Sequence, residues 1–398
     1  SRSKDKATIE LVERFVRSLS EEYEREGTKQ TEYLCDLASA HFNSVRLLAH
    51  ATKLQGLVDR GKLKEADSSA MAYNRIDIGS TTDIDVFQDK DAIKEVFAEK
   101  QPDLIRYPGA VGEFFKGALG RDCFVAIQAP EKRGKTWMLM DMAWMGAIQR
   151  RKVVFFSVGD MSQLQMMERL VVRAAQKPLY PCEVTVPIEM KLSKLKDDEG
   201  RWKYNALLKT KRKRFKKSLG WGSSVKGFQE ILRTQIKSKT TMFRLSTHPG
   251  LSIGVDGIRG KIQEWARNGW VPDIIVVDYA DILAPPSGVR ETRDQINQTW
   301  IGLRSLSQTF HCLVLTATQA DAASYDVKTQ GMKNFSNDKR KHGHVTAEFG
   351  LNQTEDEEDR GILRFNWLVR RGAKINKSQC VNVAGCLDLS RPVIKSCW

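Results

Sequence analysis

The apolar positions of this chain follow two rhythms, and the change falls near residue 104. In KATIELVERFVRSL, Ile9, Val12, Phe15, Val16 and Leu19 recur at three- and four-residue steps, which predicts one face of a helix. Leu34, Leu37, Phe42, Val45 and Leu48 predict a second helix of looser spacing. A mixed connector follows, with the turn-rich IGSTTD at 78–83. Residues 1–103 are therefore expected to form a small helical region and a linker.

From about 104 the pattern becomes short apolar runs separated by helix-like segments. CFVAIQA (123–129), VVFFSV (153–158), DIIVVDYADIL (273–283) and CLVLTATQ (312–319) read as buried strands. KTWMLMDMAWMGAIQ after the first strand reads as a helix, and Ser162 can cap another after the second. Apolar strands alternating with helices predict a mostly parallel sheet covered on both faces, a doubly wound α/β domain over 104–398. Residues 177 to about 245 break the alternation and carry KTKRKRFKK (209–217), so they are expected to be a basic surface insertion, with the run on a solvated helix face or against a nucleic acid or protein partner.

Charge sharpens this picture. Lys and Arg number 64 against 49 Asp and Glu, a formal net charge of +15, which favours a polyanionic partner, nucleic acid being the commonest. The seven cysteines form no CxxC pair, which argues against a zinc site or a disulfide framework. No run approaches the ~18 consecutive apolar residues of a membrane span, and the N-terminus lacks an apolar signal region. A soluble protein of a bacterial or phage-infected host cytoplasm is expected, without a membrane partner.

The chemistry-bearing residues stand at the ends of the apolar runs. APEKRGKT matches the Walker A pattern, with Ala129 closing the strand, Pro130, Glu131, Lys132 and Arg133 as the intervening four, and Gly134, Lys135 and Thr136 opening the helix. Gly134 lets backbone approach phosphate, Lys135 reaches the β- and γ-phosphates, and the Thr136 hydroxyl ligates magnesium. Asp278, ending Ile274–Val277, is placed to hold magnesium through water, a Walker B arrangement. Asp160, after VVFFSV, is placed as a general base or as part of a helix cap. Gln319, closing CLVLTATQ, can contact the γ-phosphate and nearby loops together. ATP and Mg2+ are the expected cofactors.

Together these residues resemble the DnaB-type replicative helicases, which have a RecA-like P-loop ATPase core, and in particular the shorter phage-like members. The resemblance runs over roughly 104–375. APEKRGKTWMLMDMA looks like the family's P-loop and following helix. VVFFSVGDMSQLQMMERL looks like its second motif, with Asp160 where the family usually has Glu. IIVVDYADIL and TRDQINQTWIGLRSLSQTF are similar to later segments. NDKRKHGHV (337–345) resembles the loop that lines the central channel, which implies Lys339, Arg340, Lys341 and Gly343 as nucleic-acid-binding residues, extended upstream by Lys328 and Lys333. FNWLVRRGAK (365–374) resembles the strand that presents an arginine finger, which implies Arg370, or failing it Arg371, acting on a neighbouring subunit's ATP.

The resemblance implies a DNA helicase that hydrolyses ATP, forms a homo-oligomer, a hexamer in this family, and translocates on single-stranded DNA. Primase or a loader would be a further partner, although the family's primase-contacting domain is not recognisable in 1–103. Two other readings share the core: a RecA/RadA-like recombinase and a nucleotide-switch assembly ATPase.

Overall fold

The computed structural model describes residues 31–71, 102–196, 202–286, 288–321, 339–376 and 379–398, with 90, 94, 324, 327 and 329–331 between them. The helix expected over residues 9–19, the turn at 78–83, Lys328 and Lys333 lie outside the described residues. The chain divides into two compact units, residues 1–100 and 101–398.

In the first unit, helix α1 (Thr31–Asp59) turns through Gly61 into α2 (Leu63–Met71). Gly61 takes a φ of 69°, and the Gly61 N–H closes the turn on the Val58 carbonyl at 2.9 Å. Phe42, Val45 and Leu48 are exposed in this unit, so two helices alone do not bury the apolar face expected of them.

The second unit is built on a nine-stranded sheet. Five central strands are β1 (Phe124–Ala129), β2 (Val153–Val158), β6 (Ile274–Asp278), β7 (Leu313–Gln319) and β8 (Ala347–Asn352). With β5 (Phe243–His248) at one edge they pair in parallel, in the order β8-β1-β7-β6-β2-β5. Beyond β8, β9 (Ile362–Arg370), β10 (Val381–Cys386) and β11 (Arg391–Cys397) add an antiparallel wing. Every residue of β1, β2 and β6 is buried, because helices cover both faces and leave no polar side for alternation to mark.

Helices α4 (Lys135–Ile148) and α5 (Gln163–Ala175) cover one face, where Met138, Leu139 and Met166 join Val125, Ile127 and Phe155 in the main core. On the other face, α7 (Val255–Arg267) sets Trp265 against Phe156, and α8 (Thr292–Thr309) sets the fully buried Trp300 against Phe124. Under the wing, α3 (Gly109–Phe115) brings Phe114 and Phe115 onto Phe349, Phe365 and Trp367, with Phe114 stacked on Trp367 at 4.3 Å. Burying each such side chain contributes roughly 1.5–3 kcal/mol.

The insertion differs from its expectation. It is a long antiparallel hairpin, β3 (Cys182–Lys196) paired with β4 (Trp202–Phe215), and the basic run lies on a strand rather than a helix. Alternation decides this: Val184 and Met190 point inward onto Cys386, Leu389, Ile362 and Ala384 of the wing. The interruption is also narrower than 177–245. Helix α6 (Trp221–Ile231) packs back on the core, where a Cβ on Gly227 would meet the Ala174 carbonyl carbon at 2.8 Å, and β5 is a strand of the main sheet.

Candidate functional site

The parallel strands end together, and their C-terminal turns gather the expected nucleotide-site residues. Ala129 is buried at the end of β1 and in register with Gln319 at the end of β7, and the Ala320 N–H donates to the Ala129 carbonyl at 3.0 Å. Between Ala129 and α4 the chain makes a tight turn: Lys132 takes a φ of 58° and Gly134 one of 84°. A Cβ built on Gly134 would meet nothing within 4 Å, so this side of the turn opens outward. No side chain caps α4, and its first-turn N–H groups, at the positive end of the helix dipole, suit an anion.

The Lys135 ammonium donates to the Ala129 carbonyl at 2.9 Å and to that of Pro130 at 2.8 Å. Burial pulls its pKa down, against the upward pull of Asp278, Glu131, Asp160 and Asp281. Thr136 follows it on the helix, and its hydroxyl donates to the Asp278 carboxylate. Asp278 is 3% exposed; burial and then the nearby Asp160 raise its pKa to about 6, against the pull of Thr136, Arg169 and Lys135. An oxygen pair of this kind, one hydroxyl and one carboxylate, is the donor set a hard divalent cation takes. The turn therefore fits a magnesium nucleotide. Arg133 instead pairs with Glu358 of α9 (Glu355–Asp359), and Glu131 and Lys132 are exposed.

Asp160 is exposed just beyond β2. Gly159 ahead of it takes a φ of 81°, and its Cβ would lie 3.2 Å from the Gly250 Cα, so only glycine makes this turn. Partial burial raises the Asp160 pKa, and Glu131 adds to the rise while Lys135 opposes it. Ser162 accepts from the Gln165 N–H, and the Gln165 side chain accepts from the Ser162 N–H, a capping box that starts α5. The cap belongs to Ser162, which leaves the Asp160 carboxylate facing the site.

Two charged residues of this region were not anticipated. Arg169 of α5 lies 3.8 Å over the Trp137 ring; burial lowers its pKa, and attraction to Asp278 opposes the fall. Asp281 accepts from the Thr318 hydroxyl at 2.8 Å and from the Lys341 ammonium at 2.7 Å. Both depend on contacts between elements far apart in the chain, which no local spacing displays.

The basic segment is divided by this second pair. Lys339, Arg340 and Gly343 are exposed on a 3-10 turn, Lys339–Gly343, with Arg340 paired to Asp294 at 2.9 Å. Lys341 departs from expectation: its side chain has no exposure and is held under Trp300 by Asp281, so it is not open to a nucleic-acid backbone in this conformation. Arg370 ends β9 opposite Ala347, which pairs with Val125, four residues short of Ala129. That offset is roughly 13 Å along the strands. Its guanidinium donates to the Lys116 carbonyl and lies 5.1 Å from the Trp367 ring. Arg371 donates to the Gly343 carbonyl. Neither arginine is brought to the phosphate turn of its own chain.

No described helix is long and apolar enough to cross a membrane. No protein-family model matches this sequence, and no curated protein matches it. Solved structures do. One, the ATPase domain of a helicase, superposes with a TM-score of 0.56 at 14% identity, over 77% of this chain and 97% of that one. Another, a DnaB-like replicative helicase solved with its interactions with primase, superposes with a TM-score of 0.59 at 16% identity, over 91% of this chain and 78% of that one. At such identities the likeness speaks for the fold, and the parallel core with its phosphate turn agrees with it: this chain has the DnaB-type helicase fold, a RecA-like α/β core.

Proposed function

We propose that this chain is an ATP-dependent helicase that works as a ring of identical subunits, translocating on single-stranded DNA to unwind duplex. The observation that carries this reading is the convergence of Lys135, Thr136, Asp278, Asp160 and Gln319 at one end of a sheet of helicase type.

Phosphate oxygens compete for the Lys135 ammonium against the Ala129 and Pro130 carbonyls, so nucleotide uncurls this side chain onto the β- and γ-phosphates. Thr136 and Asp278 hold magnesium, Asp278 through water, and the bound metal neutralises phosphate charge. Asp160 takes the proton of the attacking water; its raised pKa makes it a stronger base than an ordinary aspartate. Arg370 of the adjoining subunit supplies the positive charge that the transferring phosphoryl group needs. Gln319 shares a strand end with Ala129, so a shift of the phosphate turn reaches the loop after Gln319 through the Ala320–Ala129 hydrogen bond. Lys339, Arg340 and the Gly343 backbone grip phosphates of the strand, which gives slight sequence preference and strong salt dependence. The assembly is a closed head-to-tail ring, a hexamer by family likeness, with primase or a loader as its protein partner.

Strand displacement on a forked DNA with ATP and magnesium, beside imaging of the oligomer, tests the whole reading. Lys135→Ala is expected to abolish ATP turnover while circular dichroism stays that of the wild type. Undiminished turnover in that variant, or no turnover by the wild type assembled on single strands, removes the proposal.

A further inference from the structure

The β3–β4 hairpin takes no part in the nucleotide site, and its root carries a feature of its own. The run 209–217 holds seven cations: Lys209, Lys211, Arg212, Lys213, Arg214, Lys216 and Lys217. Two lie near carboxylates, Lys209 with Glu189 at 3.0 Å and Arg212 with Glu183 at 3.7 Å. The other five have no carboxylate partner among the described residues and are exposed. Alternation along β4 sends Lys211 and Lys213 to one side and Arg212 and Arg214 to the other, so like charges recur on each side about every 7 Å. Such an array repels itself, and bound anions relieve that cost.

Charge alone suits any polyanion, but the root also carries rings. Trp221 is 84% exposed and Tyr180 70%, the most exposed aromatic side chains among the described residues. They flank the hairpin, Tyr180 just before β3 and Trp221 just after β4. The Leu219 N–H donates to the Leu179 carbonyl at 3.0 Å and the Lys177 ammonium to the Ser218 carbonyl at 2.7 Å, which pins the two flanks together. Lys213 already lies 4.7 Å over the Phe215 ring, so the surface mixes cations with π-faces throughout. Acidic peptides and lipid headgroups offer charge without a ring to stack. Unpaired bases offer both, because each base has a π-face and each linkage a phosphate.

We propose that the hairpin root is a second binding surface for single-stranded nucleic acid, with Trp221 and Tyr180 stacking on bases while Lys211, Lys213, Arg214, Lys216 and Lys217 contact phosphates. It goes beyond the motor reading and does not depend on it, since binding here needs no nucleotide.

Binding of the full chain to fluorescein-labelled oligo(dT), followed by anisotropy across a salt series without nucleotide, tests it. Replacing the five cations together by Ala is expected to flatten the plot of log affinity against log salt by about 0.7 for each phosphate no longer neutralised, about three in all. Trp221→Ala is expected to weaken binding about tenfold at an unchanged salt slope, and Trp221→Phe to restore most of it. All these side chains are exposed, so thermal midpoints should stay at the wild-type value. Lys135→Ala should bind oligo(dT) like the wild type, so a failed motor leaves this surface standing. Affinity and slope unchanged in both variants overturn the proposal. It is equally overturned if the five-cation variant loses binding only to phosphatidylserine vesicles, or if Trp221→Ala alters assembly while affinity per subunit holds.

Discussion

Asp278 sits where the cost of ionisation is highest. Its pKa rises from an ordinary 3.8 to about 6, chiefly through burial. The folded chain keeps this proton to higher pH than the unfolded chain does. Between the two values the folded state binds more protons, so stability falls as pH rises, and the loss is complete above about 6. Asp278→Asn removes the ionisation. In urea titrations the variant is expected to be about 2–3 kcal/mol more stable than the wild type near pH 7, and equal to it near pH 4. An advantage that persists unchanged at the lower pH would assign the cost to something other than this proton. The same carboxylate, made expensive by burial, becomes favourable once a cation shares it with Thr136. Residues of this kind were readable in advance because each closes an apolar run: Ala129, Asp278 and Gln319 all end strands, and Lys135 and Thr136 open the helix after one. Lys341 was not, because the residue that buries it, Asp281, stands 60 positions earlier in the chain.

At the scale of elements, the end of β7, the 3-10 turn after β6 and the Lys339–Gly343 turn are joined by the bonds among Thr318, Asp281 and Lys341. Next to them His342 and the fully buried Glu348 pair at 2.6 Å, with burial raising the Glu348 pKa. Removing one member of a buried pair leaves the other charge in a site built for two and costs about 3–5 kcal/mol. Asp281→Ala is therefore expected to lower the urea midpoint strongly. Asp281→Leu combined with Lys341→Met should recover most of the loss, because no charge remains to be compensated. A double variant as unstable as Asp281→Ala would mean that packing, not charge, is at stake. This pair also explains which strands escaped a reading from pattern. Strands β1, β2, β6 and β7 are central and parallel, hence continuously apolar. Strand β5, FRLSTH, is a half-buried edge, and β8, AEFGLN, hides Glu348 in its middle. The antiparallel wing and the hairpin are set by long-range register, which a local period does not carry.

At the scale of the molecule, the position of Arg370 decides how subunits must cooperate. It stands roughly 13 Å along the strands from the phosphate turn of its own chain, docked on Lys116 and Trp367. If it acts, it acts on a neighbour. Arg370→Ala and Asp160→Ala should each lose nearly all ATP turnover when assembled alone. Mixed together they should regain part of it, because some boundaries then pair an intact Asp160 with an intact Arg370. ATPase rates measured across mixing ratios check this, and a flat baseline at every ratio would place the arginine's work inside its own chain.

Strand β9 has a second end. Ile362, at the far end of the ladder from Arg370, is packed under Met190 of the hairpin. A stiff rod thus has the basic hairpin seated at one tip and a subunit-facing guanidinium at the other. Tension on a filament held at the hairpin would arrive at the neighbour's catalytic pocket as a change of angle, making the grip itself a gauge of load.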